Sequence, residues 1–331
     1  MVKFGLEFVP RELYWRTTYY AIQAERSGFE YLWITDHFNN RNVYVSLSIV
    51  SAYTDRIKFG PGVTNPYLCH PVVTAQAVAS LAEIAPGRVL CGIGVGDKTT
   101  LSMVNTEQVK PLAAIREAVG VIRAITSGKD AVSEGEVFKV SGVRLNFSIA
   151  SPVPIYLGAQ GPRMLSLAAE LGDGVLINAS HPKDIESALG FIKDGATKAG
   201  RSADSLDVAA YTSFSVHEDP KRALKAVVPV VAFIVAGSPD VVLQRHGIQP
   251  EIAAKIRDAI SHEKWGDAFG SVTPDMVEAF SVCGTPDECV EKISRLVKLG
   301  VTQFVTGSPI GPNVRRSINT IGTKILPNFK G

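Results

Sequence analysis

Residues able to do chemistry gather at a few points along the 331 residues. Glu7 stands in Leu6-Glu7-Phe8, an ionisable carboxyl among apolar neighbours. Burial there would disfavour its charge and raise its pKa toward a range useful for proton transfer, and the same position also suits a structural salt bridge with an arginine. In Ile34-Thr35-Asp36-His37-Phe38 a carboxylate beside an imidazole offers a proton relay or two polar anchors for a ligand. The plainer roles are a cap for Asp36 and a solvent-facing ring for His37. Gly60-Pro61-Gly62-Val63-Thr64-Asn65-Pro66 holds two glycines and two prolines in one short stretch. That composition predicts an unusual backbone, a bulge or a strained peptide against which a flat group could pack, or else an ordinary turn.

Three further stretches follow. Leu90-Cys91-Gly92-Ile93-Gly94-Val95-Gly96-Asp97-Lys98 comes close to two phosphate motifs and satisfies neither. Asp97 occupies the third glycine position of G-x-G-x-x-G and separates Gly96 from Lys98 where a Walker A would join them. The expectation is that these glycines clear side chains so that a planar ring can lie over the strand end, while Asp97 caps or hydrogen-bonds. Gly158-Ala159-Gln160-Gly161-Pro162-Arg163 has small residues, then proline at the first helical position and a basic residue in the first turn. Such a helix start offers free N–H groups to a phosphate, or is a loop capped without a ligand. Asn178-Ala179-Ser180-His181 adds another polar cluster. Together the stretches outline a site for a flat ring with a phosphate tail.

Each stretch sits where an apolar run gives way to a helical pattern, and the elements that must position them follow from that alternation. Lys3–Phe8, Glu30–Thr35, Ile57–Gly60 and Arg88–Gly94 read as strands, followed by helical spacing over Glu12–Ser27, Val43–Tyr53, Pro71–Ala85 and Gln108–Thr126. The pattern resumes with strand Val153–Gly158 and helix Pro162–Leu171, then Gly174–Asn178 with Lys183–Ala199. It closes with Asp207–Val216 and a helix from about Lys221, and with Val301–Thr306 and Asn313–Leu326. Eight nearly continuous apolar strands, each followed by a helix, predict an α/β fold, a (β/α)8 TIM barrel with insertions. An open dinucleotide-binding sheet would carry a glycine motif in its first βα turn, and Phe8-Val9-Pro10-Arg11-Glu12 has none. One barrel domain over 1–331 is expected, with a hairpin insertion at about 132–147 and a strandless helical insertion at about 224–281. The apolar helix near Val227–Val235 suits core or interface. In a barrel the site lies at the C-terminal strand ends, where the polar stretches fall.

Composition narrows the function classes. With 34 Lys+Arg against 32 Asp+Glu the formal charge is +2, and no basic run supplies the field that sequence-independent nucleic-acid binding needs. A mean hydropathy of +0.14 invites a membrane reading, but every apolar run breaks well before the ~18–20 residues of a spanning helix. The start Met1-Val2-Lys3-Phe4-Gly5 carries no export signal, so a cytoplasmic protein is expected. Four cysteines with no CxxC pair read as reduced thiols. No H-E-x-x-H, no grouped metal ligands and no G-x-S-x-G elbow is present, so neither a metal site nor a serine hydrolase is expected. His70, His217, His246 and His262 are scattered singly and read as structural or exposed.

The opening Val2–Pro10, the Trp33-Ile34-Thr35-Asp36-His37 strand end, Gly60–Pro66, Gly92–Asp97 and the late Gly284-Thr285-Pro286-Asp287-Glu288 followed by Leu299–Phe304 resemble the bacterial-luciferase-like superfamily of flavin and deazaflavin enzymes. Within it the chain is similar to the methylenetetrahydromethanopterin reductases of methanogenic archaea, essentially from end to end. The resemblance implies an oxidoreductase that passes a hydride from reduced coenzyme F420, an 8-hydroxy-5-deazaflavin, to the methylene carbon of a tetrahydropterin. It implies a non-prolyl cis peptide carried over to Gly62–Val63, on which the ring stacks, and Glu7 as general acid toward the departing nitrogen. Asp36 and His37 would position coenzyme or pterin, Thr64 and Asn65 would line the same wall, and Gly96 and Asp97 would lie near the ring. Gln160, Gly161, Asn178 and Ala179 would hold the phosphate-bearing side chain. F420 would act as a diffusible cosubstrate, with no tightly bound flavin or metal, and the chain would form a homodimer or tetramer. Other members of the superfamily, an FMN-dependent monooxygenase or an F420-dependent alcohol or sugar-phosphate dehydrogenase, and a non-catalytic barrel are the competing expectations.

Overall fold

The computed structural model describes residues 1–330. The chain divides into two compact units, one of Gly5–Ile177 with Ala188–Ala209, the other of Met1–Phe4, Asn178–Ser187 and the chain from Ala210 onward.

In the first unit most of β1 (Lys3–Phe8), then α1 (Tyr14–Arg26), β2 (Tyr31–Ile34), α2 (Val43–Tyr53), β3 (Lys58–Pro61), α3 (Pro71–Ile84) and β4 (Cys91–Ile93) alternate. After α4 (Lys98–Ser102) and α5 (Pro111–Thr126) comes an antiparallel hairpin, β5 (Ala131–Glu134) with β6 (Lys139–Val143), then β7 (Ile155–Ala159), α6 (Pro162–Leu171) and β8 (Gly174–Ile177). β1 pairs with β2 and β2 with β3, all parallel. β3 meets β4 through the bridges Phe59 to Val89 and Thr64 to Ile93, and β4, β7 and β8 continue the parallel order. With the hairpin set aside, the strands therefore lie side by side in chain order, as right-handed βα crossovers produce.

Alternation along these strands separates two faces. Leu6, Leu32, Ile34, Phe59, Ile93, Leu157 and Val175 form one, all fully buried. The other brings Glu7, Trp33 and Gly60 into one row and Gly92, Tyr156 and Gly174 into another. The Trp33 and Tyr156 rings stand edge to face with centroids 5.1 Å apart. β3 and β4 lie between their strands, and in a flat sheet three spacings of about 4.8 Å would hold the rings roughly 14 Å apart. The sheet must curl toward this face. Glycine makes the curl possible, since a Cβ on Gly92 would stand 3.2 Å from Trp33 Cζ3 and one on Gly174 only 2.2 Å from Tyr156 Cε1.

The second unit contains most of β9 (Asp207–Val216), the helices α8 (Pro220–Gly237), α9 (Asp240–Arg245), α10 (Pro250–Ser261), α11 (Trp265–Gly270) and α12 (Pro274–Phe280), a short strand β10 (Ser281–Gly284), α13 (Pro286–Leu299), β11 (Gln303–Ile310) and α14 (Val314–Thr320). Helix α7 (Pro182–Lys198) begins in it. The helices from α8 to α12 have a core of their own, in which Val227, Val231, Val235, Leu243, Ile256 and Met276 are buried. The face of α8 around Val227–Val235 is thus core, while Phe233 remains exposed. Asp184, in the first turn of α7, ties this helical segment down: Arg245 Nη1 donates to Oδ1 at 2.6 Å, and His246 Nε2 lies 2.7 Å from Oδ2. Helix α13 starts with a capping box, in which Thr285 and Glu288 satisfy each other's backbone N–H groups.

With β9 and β11, eight strands alternate with helices, the element order of a (β/α)8 fold. Differences from expectation are local. The helix expected from Gln108 starts at Pro111, whose fixed φ suits a first helical position, and α4 precedes it. β10 follows the helical segment directly and pairs with Ser213–Val216 of β9, where four residues carried too little pattern to read as a strand. The last helix ends at Thr320 and passes into a π turn at Ile321–Ile325. Among the described residues no helix is long and apolar enough to cross a membrane.

Candidate active site

Most of the expected site residues lie in the first unit at the C-terminal ends of its strands. Glu7 is buried, 4% exposed, in the row with Trp33 and Gly60. Asp36 and His37 follow β2 and are half-buried. Gly62, Val63, Thr64 and Asn65 follow β3, and the Gly62–Val63 peptide is cis.

The segment after β3 is held on several sides. Gly62 N donates to Ile34 O at 2.8 Å, Thr64 N to Gly92 O at 2.9 Å, and Gly94 N to Thr64 O at 2.9 Å. The Thr64 hydroxyl donates to Asp36 Oδ2 at 2.7 Å, which links the ends of β2 and β3. Burial pushes the Asp36 carboxyl above its ordinary range, against the hydroxyl of Thr64 and the neighbouring His37, which pull it down. Asn65 is committed locally, its Oδ1 accepting Tyr67 N at 3.1 Å and Leu68 N at 3.0 Å. Val63 alone of the four residues Gly62–Asn65 is part-exposed.

The glycines on β4 and in the loop after it serve this segment. A Cβ on Gly92 would meet Pro61 O at 2.2 Å, one on Gly94 would meet Val63 Cγ2 at 2.9 Å, and one on Gly96 would meet Asn65 Cγ at 3.2 Å. A Cβ on Gly158, near the end of β7, would stand 3.3 Å from the other Val63 methyl. The space that these glycines open is therefore taken by the backbone and side chains after β3, in contrast to the expectation that a ring would lie directly on them. Val63 reaches across Gly94 toward Gly158 and becomes the surface on offer. Gly96 has φ +74°, the left-handed region that favours glycine. Asp97 is exposed and caps α4, its Oδ1 accepting Thr100 N at 2.8 Å and Thr100 Oγ1 at 2.9 Å.

Gln160 and Gly161 are exposed where α6 begins, with Pro162 at its first position. Asn178 and Ala179 come directly after β8 and belong to the other unit, Asn178 exposed and Ala179 buried. Two residues that the sequence did not single out bear on the first-unit cluster. Gln108 Nε2 donates to Val95 O at 3.1 Å and Gly96 O at 2.7 Å, fixing the loop after β4. Tyr44, in the first turn of α2, directs its buried hydroxyl toward Asp36 and Thr64. Neither carries a sequence signal, since both act through partners distant in the chain.

The scattered histidines are structural or exposed, His262 among the exposed ones. His70, His181 and His217 each accept a backbone N–H two residues on through Nδ1, from Val72, Lys183 and Asp219. All four cysteines are free thiols. No group of three or more metal-ligating side chains occurs among the described residues. A cavity of about 440 Å³ in the second unit is lined by Lys221, Glu278, Glu291, Lys292 and Arg295, but Lys292 pairs with Glu278 and Arg295 with Glu291. It contains none of the expected site residues.

The luciferase-like monooxygenase family model matches residues 13–303. A 5,10-methylenetetrahydromethanopterin reductase of Archaeoglobus fulgidus is 52% identical over 99% of this chain and 100% of its own, and one of Methanolobus tindarius is 48% identical over 98% and 99%. The solved structure of the coenzyme F420 dependent tetrahydromethanopterin reductase from Methanopyrus kandleri superposes with a TM-score of 0.95 at 44% identity, covering 99% of each chain. The fold is accordingly a (β/α)8 barrel with insertions, and the chain belongs to the luciferase-like monooxygenase family, in its branch of 5,10-methylenetetrahydromethanopterin reductases.

Proposed function

We propose that this chain is a 5,10-methylenetetrahydromethanopterin reductase that uses reduced coenzyme F420, an oxidoreductase of one-carbon metabolism. The observation that carries the reading is full-length identity of 52% and 48% to relatives of that name, together with the F420-dependent solved relative at 44%. It takes residues 1–331 as one barrel domain working in the cytoplasm as a homo-oligomer.

The residues present fit a deazaflavin. Val63 offers a part-exposed apolar surface seated on Gly94 and Gly158, and buried Glu7 stands on the strand face that carries Trp33. Reduced F420 supplies the hydride that the methylene carbon of the pterin accepts. Val63 supports the ring, and Asp36 with Thr64 keeps Val63's segment in place. Glu7 holds the proton that the departing pterin nitrogen takes as the ring opens, and its burial excludes water from that transfer. Asp97 with Gly96, and Gln160 with Gly161, lie at strand ends that suit the ring edge and the phosphate-bearing tail.

Glu7→Gln keeps the shape and removes the proton. It is expected to bind F420 with near wild-type affinity and to lose about 10²–10⁴-fold in kcat, the usual span for a positioned acid. Wild-type turnover by that variant removes Glu7 from the mechanism. Binding of FMN to the exclusion of F420 overturns the whole reading.

A further inference from the structure

Asn42 caps α2 by accepting Tyr44 N at 3.0 Å and Val45 N at 3.1 Å through Oδ1, which fixes the turn from which Tyr44 projects. The Tyr44 hydroxyl is buried beside the Thr64 hydroxyl and makes no well-formed hydrogen bond. Buried polar groups are nearly always satisfied, so an exception calls for a partner that arrives under other conditions. Thr64 is the neighbour able to provide one. Its hydroxyl already donates to Asp36 Oδ2, leaving lone pairs on the same oxygen free to accept.

Resting on the F420 reading above, we propose that Tyr44 is a positioning residue for the coenzyme site. In the loaded protein its O–H donates to the Thr64 oxygen, and the resulting Tyr44–Thr64–Asp36 chain holds both the Val63 segment and the Asp36 carboxylate. Polar groups chained in this way polarise one another and strengthen the terminal bond to the carboxylate. The titratable groups around the chain are His37 beside Asp36, Cys69 ahead of α3 and Cys91 on β4. Burial raises both thiols, that of Cys91 to about 12, so neither carries charge near neutral pH. Asp36, whose carboxyl burial raises, remains as the group that the chain acts on.

The test is equilibrium binding of oxidised F420 across pH 4–8 to the wild type, Tyr44→Phe, Thr64→Val and the double variant, with thermal midpoints of the coenzyme-free proteins alongside. Tyr44→Phe removes one oxygen. It is expected to weaken F420 about 3- to 10-fold, the worth of one net hydrogen bond, and to move the acid limb of binding up by about 0.5–1 pH unit. The coenzyme-free midpoint should stay or rise, since an unpaired hydroxyl is lost. Thr64→Val should reproduce the shift, and the double variant should be no worse than Thr64→Val, because the two act in series. The coenzyme's own ionisation moves all four curves alike. An unmoved acid limb in Tyr44→Phe, losses that multiply in the double variant, or a midpoint falling in step with affinity each overturns the proposal while the F420 reading stands. Failure of the wild type to bind F420 overturns both.

Discussion

Gly92 on β4 and Gly94 just beyond it face different neighbours, so alanine at each should fail in a different way. At Gly92 the new methyl would stand 2.2 Å from Pro61 O and 3.2 Å from Trp33 Cζ3. Relief requires β3 and β4 to part by roughly 1 Å, and neither a backbone oxygen nor an indole in a packed core yields easily. Overpacking of this kind costs about 3 kcal/mol. With an unfolding entropy of about 2.1 cal/mol/K per residue, that converts to a fall of about 4 °C in the thermal midpoint for a chain of this length. At Gly94 the first neighbour is Val63 Cγ2 at 2.9 Å and the next, Gly158 O, is at 3.6 Å. A valine methyl can swing by the few tenths of an ångström needed, so Gly94→Ala should cost under about 1 kcal/mol. The displaced methyl, however, belongs to the surface proposed for the coenzyme ring. Gly94→Ala should therefore lose about tenfold in F420 affinity with little loss of stability, and Val63→Ala in the same chain should recover part of it by vacating the space. Calorimetry paired with F420 binding separates the cases. Equal falls in midpoint for the two variants, or no recovery in the Gly94→Ala/Val63→Ala protein, would refute the reasoning.

Asp184 gives a pH prediction. Burial works to raise its carboxyl, but His246 and Arg245 outweigh burial and hold it below the usual range. A depressed folded pKa adds stability that is fully present above the unfolded value of about 3.9 and is lost as pH falls through the folded one. Asp184→Asn should thus lower the thermal midpoint at pH 7, and the gap from wild type should close as the pH falls below the ordinary aspartate range; a gap independent of pH counts against the ion pairs. Thiol accessibility gives another. Cys91, Cys283 and Cys289 are buried and Cys69 is half-buried, so native protein at pH 8 should release one equivalent of chromophore with a disulfide reagent and four in denaturant. Retention of that one equivalent in Cys69→Ser would show a wrong assignment.

The barrel was legible because parallel strands buried on both faces leave continuous apolar runs, and Leu32–Ile34 or Val175–Ile177 cannot easily be anything else. Strand ends then located Glu7, Asp36 and the Gly60–Pro66 stretch. What occupies the space beside a glycine was not legible. Gly92-Ile93-Gly94-Val95-Gly96 announces missing side chains, but only the fold reveals that Pro61, Val63 and Asn65 fill the gap. Tyr44 was hidden for a related reason: inside an apolar helix a tyrosine reads as core, and its hydroxyl gains meaning only beside Thr64, which is 20 residues further along. Capping was only half legible. Thr285 with Glu288 follows the capping-box spacing, whereas the turns in which His70, His181 and His217 accept the N–H two residues on have no such sequence signature.

The packing of Trp33 also gives the protein an optical handle. Of the three tryptophans, Trp15 is 60% exposed and Trp265 43%, while Trp33 is fully buried on the strand face that carries Glu7. A quencher dissolved in the solvent reaches the first two and silences them. The emission that survives belongs to Trp33, so a steady-state fluorometer can follow events beside the proposed acid without a label and without substrate turnover.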